Sequence, residues 1–229
     1  SVRHADGIAT LVDAVKRIKS FSSLPLSLSA WIRNAEEAAA LVEAGVDRLS
    51  VSLDVVNSQA HEKLKGSSLQ DRLGLLLNCA EKLPGRMSTH IICGLGETEE
   101  EALTITNLLL KAAVTVALFA FVPLKGTALE KAESPPITSY RRLQAGHYLL
   151  CKKAAELASF RFEAGRLTAY GLSAEMLNII LGDGSAFQTS GCPDCNRPYY
   201  NERPGGMIYN YHRPLNELER KTALKELIM

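Results

Sequence analysis

One stretch near the middle of the chain constrains the fold more than any other: an apolar run, a glycine turn and an acidic helix start. The run 90–93 stops at Gly94-Leu95-Gly96, and an acidic segment then opens the apolar-periodic run 102–113. Two glycines allow a sharp turn and a close approach of a ligand to the main chain. Thr98 and Glu101 match a capping box, and the acids suit the positive end of a helix. The pattern predicts strand, turn and helix, and leaves open whether the turn binds a ligand or is an ordinary loop.

The same alternation of strand and helix patterns extends along the chain. Strand patterns lie at 25–32, 46–56, 90–93 and 114–122, and helix patterns follow them at 34–44, 69–83, 102–113 and 138–158. The residues at 58–66 suit a charged loop or a short helix, and weaker patterns predict a strand at 160–167 and helices at 8–18, 175–181 and 216–227. Such alternation predicts a parallel sheet with right-handed crossovers, and about thirty residues per unit suits a barrel. We therefore expect an α/β fold, a partial TIM-type barrel with parallel strands over residues 1–186 that lacks the first βα unit or units. An irregular cysteine-containing tail and a helix follow over 187–229.

Bulk properties exclude several classes of protein. Apolar residues make up 46% of the 229 residues, which is typical of a globular protein with a real core. The net charge of +1 gives no strong attraction to nucleic acid or to an anionic membrane. No transmembrane run and no signal peptide is visible, which favours the cytoplasm. The first residue is Ser1 rather than methionine, and its segment is already helix-like, so we expect a fragment of a longer protein.

Polar residues at the predicted strand ends are the first candidates for a site, because barrel ligands lie over the C-terminal ends of strands. Asp54 ends a strand, and Ser52 points to the same side under period two. A carboxylate there could accept hydrogen bonds from a ribose diol, or could cap the next segment. Arg33 could bind a carboxylate or be a solvated loop residue. His90 is interpreted first as a satisfied core residue, since a lone strand histidine is usually structural.

The five cysteines are scattered, and only Cys192-Pro-Asp-Cys195 forms a close pair. Two thiolates at this spacing can hold one metal ion or iron–sulfur cluster, and His212 could join them. A redox dithiol and a structural turn are the alternatives. An odd number of scattered cysteines does not indicate a disulfide framework. We interpret the other three cysteines as packing residues, namely Cys79, Cys93 and Cys151.

These motifs resemble those of the radical S-adenosylmethionine (SAM) enzymes. The run 90–97 resembles their GxIxGxxE element, and Ser52-Leu-Asp54 resembles the polar strand end that meets the ribose and methionine parts of SAM. The segment 121–127 is similar to the following strand and loop of biotin-synthase-like members. The tail 190–206 looks most like the biotin-synthase-related branch that includes the lipoyl synthases.

The resemblance implies a role for each matching residue. Gly94, Gly96 and Glu97 would shape the SAM pocket, and Ile92 would lie under the adenine. Ser52 and Asp54 would meet the ribose or the methionine moiety. Cys192 and Cys195 would be metal ligands of an auxiliary iron–sulfur cluster. The cofactors implied are SAM and a 4Fe-4S cluster, which carry the difficult chemistry while the protein positions them.

The reaction implied is lipoyl-synthase-like sulfur insertion into a protein-bound octanoyl chain. Expected partners are an octanoylated carrier protein or peptide and an electron donor such as ferredoxin or flavodoxin, with a second radical SAM subunit as a further candidate. No nucleic acid or membrane is expected. Another reaction of the superfamily, such as biotin-synthase-like sulfur insertion or a methylation, is an alternative.

The sequence also departs from the family pattern. The cluster motif CxxxCxxC and the Gly-Gly-Glu element are absent from these 229 residues, and His90 stands where a glycine is usual. The resemblance places both absent elements upstream of Ser1, so we expect this chain alone to be inactive. The alternative is an accessory subunit or degenerate relative that docks a complete radical SAM partner.

Overall fold

The computed structural model describes residues 7–191, 202 and 204–227. The helices are α1 Gly7–Lys19, α2 Ala35–Glu43, α3 Ser58–Lys65, α4 Leu69–Lys82, α5 Glu99–Lys111, α6 Ile137–Cys151, α7 Ala174–Leu181 and α8 Glu217–Glu226. The strands are β1 Ser27–Ser29, β2 Arg48–Ser50, β3 Met87–Cys93, β4 Thr115–Ala120, β5 Arg161–Glu163 and β6 Arg166–Ala169. Two 3-10 turns lie at Leu157–Ser159 and Ser185–Phe187. In the described part of the chain, no helix is long and apolar enough to cross a membrane.

Strands β1 to β4 form one sheet in the order of the chain, and every neighbouring pair is parallel. Helices follow each of these strands, as the alternating pattern predicted. One face of the sheet is covered by helices and is almost completely buried, as the exposure of its side chains shows. These residues include Leu49, Val51, Met87, Ile91, Val116 and Leu118, each at most 2% exposed. The fold is therefore the expected α/β fold with a parallel sheet, in a partial barrel.

The opposite face, which we call the inner face, carries the side chains that alternate with this buried set. Directly paired residues on neighbouring strands point to the same side of a sheet. Ser29 pairs with Ser50, Ser50 with Ser88, and Ser88 with Thr115, so these four side chains form one row across the inner face. His90 and Ala117 form a pair in the next row towards the C-terminal edge.

Local sequence accounts for most helix starts. Asn34 accepts a hydrogen bond from the Glu37 N–H and caps α2, and Gly45 follows the end of that helix at φ 120°. Thr98 and Glu101 form the predicted capping box of α5. Each cap satisfies a helix-end N–H group that otherwise lacks a partner, which fixes where the helix begins.

Three predicted elements differ from the structure. The strand expected at 160–167 is an antiparallel hairpin, β5 and β6, because Ala164 and Gly165 both take positive φ and turn the chain. The helix expected to reach residue 158 ends at Cys151, where Lys153 takes φ 53°. The strand expected at 46–56 is shorter, since only Arg48–Ser50 pair regularly. Residues 58–65 form helix α3, the second of the two predicted alternatives.

Candidate functional site

The C-terminal end of β2 is irregular, and this irregularity places Asp54. The Leu53 N–H donates to the Thr89 side-chain hydroxyl (3.0 Å) instead of to a main-chain carbonyl. Asp54 then rejoins β3 through an isolated bridge to Ile91, with the Asp54 N–H donating to the His90 carbonyl (3.0 Å). Asp54 has φ 60°, a left-handed conformation that is uncommon outside glycine and clusters at functional sites.

The Asp54 carboxylate bonds to two basic side chains. Oδ1 lies 2.8 Å from His90 Nε2, and Oδ2 accepts a hydrogen bond from Lys65 Nζ. Burial raises the pKa of Asp54, but the hydrogen bonds from His90 and Lys65 outweigh it, so the pKa lies below its usual value. Asp54 is therefore an anion at neutral pH. His90 is only partly buried, so its interpretation as a core residue is wrong: it faces the inner side of the sheet against Phe119, with ring centroids 5.0 Å apart.

A cavity of about 220 Å³ opens beside Asp54 at the C-terminal edge of the sheet. Arg72 of α4 reaches into it although only 8% of the residue is exposed. Its guanidinium lies 4.1 Å from the centre of the Trp31 ring, and its Nη1 donates to the Ile32 carbonyl (3.2 Å). Its Nε has no hydrogen-bond partner among the described residues. Ser52 and Lys65 also line the cavity, and its remaining lining residues are Ser29 and Ala30.

Arg72 is the functional candidate that sequence reasoning missed. It is buried on α4 together with Leu69, Leu76 and Cys79, so it occupies the apolar face of that helix. An arginine at the spacing of a core stripe is unusual, because arginine is almost never fully buried without a partner. This unusual position of an arginine was the feature of the sequence that could have identified Arg72 as a site residue. Burial lowers the pKa of Arg72, and a buried cation at a cavity wall is suited to an anionic group of a ligand.

The glycine turn adopts the strained geometry that its sequence indicated. Gly94 and Gly96 have φ 100° and 106°, and a Cβ on Gly94 would lie 2.8 Å from Pro135 Cδ. The Glu97 carboxylate accepts hydrogen bonds from the Gly94 N–H (2.6 Å) and the Leu95 N–H (2.9 Å). Burial raises the pKa of Glu97 more than these bonds lower it. Glu97 therefore holds the turn closed by bonding to its own loop.

The other predicted site residues fall into two groups. Ile92 is half-buried on the inner face and pairs with Phe119, so it offers an apolar surface next to the glycine turn. Arg33 is exposed and bonds Glu37 through its Nε (2.6 Å), which supports the solvated alternative. Residues Cys192 and Cys195 lie outside the described residues, and the exposed His212 precedes α8.

Three cysteines are described, and they do not come together. Cys79 and Cys93 are fully buried, as expected for packing thiols, and burial raises the pKa of both. Cys151 is exposed, so its interpretation as a core thiol is wrong. It lies at the end of α6. Together with His147 and Thr115, it lines a cavity of about 410 Å³ at the β4 edge of the sheet. Within the described residues no group of three or more His, Cys, Asp or Glu side chains could hold a metal ion.

Comparison with known proteins identifies the family. The model of the radical SAM superfamily matches residues 8–109, which include Asp54, Arg72 and the glycine turn. The matched part of the chain belongs to the radical SAM superfamily. It is related to biotin synthase, with 28% identity over 120 residues to the enzyme of Acaryochloris marina and 27% over 127 residues to that of Leptospira biflexa. A GTP 3',8-cyclase of Limosilactobacillus fermentum is 27% identical over 124 residues.

These matches cover only part of each protein. They span 52%, 55% and 53% of this chain but 34%, 36% and 37% of the three relatives, so the chain spans about a third of their length. Among solved structures, that of HydG, a maturase of the FeFe-hydrogenase, superimposes with a TM-score of 0.53 at 14% identity. The superposition covers 64% of this chain and 36% of HydG, and it supports the fold alone.

Membership of the superfamily implies SAM and a 4Fe-4S cluster, and the described residues fit only the first. The guanidinium of Arg72 at the cavity wall, the ionised Asp54 and the apolar Ile92 suit a carboxylate, a ribose and an adenine respectively. The cluster does not fit the described cysteines, namely Cys79, Cys93 and Cys151. The sequence lacks CxxxCxxC, the thiols of Cys79 and Cys93 are buried, and Cys151 lies at the wrong edge of the sheet.

Proposed function

We propose that this chain forms the SAM-binding portion of a radical SAM enzyme. The observation that carries the proposal is the buried guanidinium of Arg72, whose Nε has no described partner, next to the ionised Asp54 in one cavity. SAM presents a carboxylate that can accept from Arg72 and ribose hydroxyls that can donate to Asp54. Each carboxylate oxygen of Asp54 has two lone pairs, so bonds from His90 and Lys65 leave room for a diol.

The remaining residues would orient and shield the cofactor. Ile92 would supply the apolar surface for the adenine, and Gly94 and Gly96 would let the main chain approach it closely. Glu97 would keep that turn in shape. In this superfamily, bound SAM supplies a 5'-deoxyadenosyl radical after reductive cleavage at an iron–sulfur cluster. Since the described cysteines do not form a ligand set for that cluster, we assign no chemical step to them.

The reaction that we propose for the whole protein is radical sulfur insertion, because two of the relatives are named biotin synthases. A lipoyl-synthase-like reaction on an octanoylated carrier protein, with an auxiliary cluster at Cys192 and Cys195 and an external electron donor, is the finer form of this proposal. The similarity to a GTP 3',8-cyclase supports the superfamily but not a particular reaction. The oxygen-sensitive chemistry favours the cytoplasm.

A second candidate function is that of an accessory subunit or a degenerate relative. Such a subunit would bind SAM or its products while a complete radical SAM partner cleaves the cofactor. Anaerobic reconstitution with iron and sulfide, followed by measurement of 5'-deoxyadenosine, separates the two functions. Formation of deoxyadenosine only in the presence of a copurified partner supports the accessory subunit.

Calorimetric titration of SAM into the purified chain tests the binding site. Replacing Arg72 by Met removes the open Nε donor but keeps the length of the side chain. A hydrogen bond to a charged group contributes about 1.5–3 kcal/mol, so we expect roughly 10- to 100-fold weaker binding. The matched control is Arg33→Met, since Arg33 is exposed and bonds only Glu37 among the described residues. Equal affinities of R72M and the unmodified chain would contradict the proposed site, provided that both are folded.

A further inference from the structure

The inner face of the sheet is unusually polar for the interior of a barrel. Barrel interiors of this type are normally filled by layers of bulky branched side chains. Here one complete layer consists of small hydroxyl residues, one from each strand: Ser29, Ser50, Ser88 and Thr115. Four small side chains cannot fill such a layer. Two of the hydroxyls have protein partners, since Ser88 donates to the Leu49 carbonyl (3.4 Å) and Thr115 accepts from Arg48, while Ser29 is exposed and Ser50 half-buried.

An arginine lies across this hydroxyl row. Arg48 starts β2 on the same face, and its Nη1 donates to Thr115 Oγ1 at 2.5 Å. Strand β3 separates β2 from β4, and two strand spacings amount to about 10 Å. The side chain of Arg48 must therefore extend over β3, near Ser88. The Thr115 bond is the single hydrogen bond found for its guanidinium among the described residues, so most of its five N–H donors remain available.

The charge of the inner face is one-sided. Within the four strands, the inward-facing ionisable residues are Arg48 and His90, and both are bases. Two acids flank β2: Asp54 lies beyond its end and bonds Lys65 and His90, and Asp47 precedes Arg48 and pairs with Lys19 and Arg86. On this face, apolar side chains lie only towards the C-terminal ends of β3 and β4, at Ile92, Ala117 and Phe119. A molecule with an anionic group matches the basic side chains of this face, whereas a hydrocarbon chain would cover the Arg48 guanidinium without supplying a counter-charge.

We propose that the inner face binds a polar substrate that carries an oxyanion group, a carboxylate or a phosphate, with Arg48 holding that group against the hydroxyl row. This inference rests on the proposed function, because it assigns a substrate class to the same barrel. It retains the proposed radical SAM function but favours a polar substrate over the octanoyl chain of the lipoyl-synthase-like form. Arg48 is a specificity-determining residue in this arrangement, and Thr115 positions its guanidinium. The distance from Arg48 to Asp54 is about 20 Å along the strand, so the two ends of the site can be tested separately.

The test uses the purified chain with nitrogen-15-labelled arginine, and it follows the side-chain Nε–H signals by NMR. Malonate, orthophosphate and the neutral octanamide are titrated as probes. We expect saturable shifts of the Arg48 signal with at least one of the two anions, and none with octanamide. The tighter anion identifies the group as a carboxylate or a phosphate. Saturable binding of octanamide alone, or of no probe, overturns the inference.

Three variants make the result specific to this face. Arg48→Met should weaken anion binding at least tenfold, and Thr115→Val, which keeps the arginine but removes its anchor, about two- to fivefold. The matched control, Arg86→Met, removes an exposed arginine near the same sheet edge that contacts Asp47, and should change nothing. Anion binding that persists in R48M contradicts the inference. Titration of SAM into the same samples separates this failure from failure of the proposed function, since R48M should keep its SAM affinity.

Discussion

The Asp54 carboxylate should stabilise the protein through His90 and Lys65, and Asp54→Asn tests this directly. The substitution keeps the size of the side chain, and asparagine tolerates the left-handed φ of 60° at this position. It removes the charge from two hydrogen bonds, to His90 and Lys65, each of about 1.5–3 kcal/mol when charge-assisted. Because the amide oxygen can keep one weaker bond, we expect a net loss of about 2 kcal/mol at pH 7. At about 2–4 °C per kcal/mol for a chain of this size, the Tm should fall by roughly 4–8 °C.

The pH dependence of this loss identifies its cause. The folded-state pKa of Asp54 lies below the ordinary 3.8, so its contribution is fully present above pH 3.8 and is lost as the pH falls through the folded-state value. Urea unfolding of both forms between pH 7 and pH 2.5 should therefore show a constant difference that shrinks at the acid end.

The control for this experiment is Asp47→Asn. Asp47 also bonds a lysine, Lys19, but 45% of its side chain is exposed, so the substitution should cost less than about 1 kcal/mol. A loss in D54N no larger than that in D47N, or one that stays the same down to pH 2.5, would refute the argument from burial and charge.

Two further perturbations test the turn and the opposite edge of the sheet. Gly94→Ala forces φ 100° on a residue whose Cβ would lie only 2.8 Å from Pro135, so its free energy of unfolding, measured by chemical denaturation, should fall by about 2 kcal/mol or more. The control is Gly85→Ala, which has φ 72° and nothing within 4 Å of its Cβ, and which should cost about 1 kcal/mol. Equal losses would show that the contact with Pro135 is unimportant. Burial lowers the pKa of His147 from 6.5 to about 4. The free energy of unfolding should therefore fall by up to about 3 kcal/mol as the pH falls from 6.5 to 4, and this group causes no loss above pH 6.5. His147→Gln should flatten that slope in unfolding curves measured from pH 7 to pH 4; the exposed His212→Gln should not, and an unchanged slope in H147Q would contradict the assignment.

Local signals in the sequence predicted the parts of the fold that local chemistry decides. The capping box of Thr98 and Glu101 lies where the sequence placed it, because it acts on backbone groups within a few residues. The break in β2 could not be found in this way. It depends on the Thr89 hydroxyl, which donates to the Val51 carbonyl (2.7 Å) and accepts from the Leu53 N–H, and that threonine comes from another strand.

The candidate site shows the same division between local and long-range information. The glycine turn and Asp54 were predicted as site residues because they lie at strand ends, where parallel sheets bind ligands. The partners of Asp54 were not predicted, since His90 lies on the neighbouring strand and Lys65 at the end of α3. Arg72 was missed for a related reason. Its spacing on α4 is that of a core residue, and only the packing of α4 against Trp31 and Ile32 shows what it faces.

The way in which Asp54 is held suggests why the site can be both strained and precise. Its N–H donates to the His90 carbonyl and its carbonyl accepts from the Ile92 N–H (2.7 Å), so the main chain is fixed on both sides by β3. The same strand carries the imidazole that bonds its carboxylate at 2.8 Å. The left-handed conformation, which costs about 1–2 kcal/mol, is thus maintained by three bonds to one rigid strand. A carboxylate placed by a strand rather than by a loop keeps its direction when a ligand arrives, and this is the preorganisation that binding of a ribose diol requires.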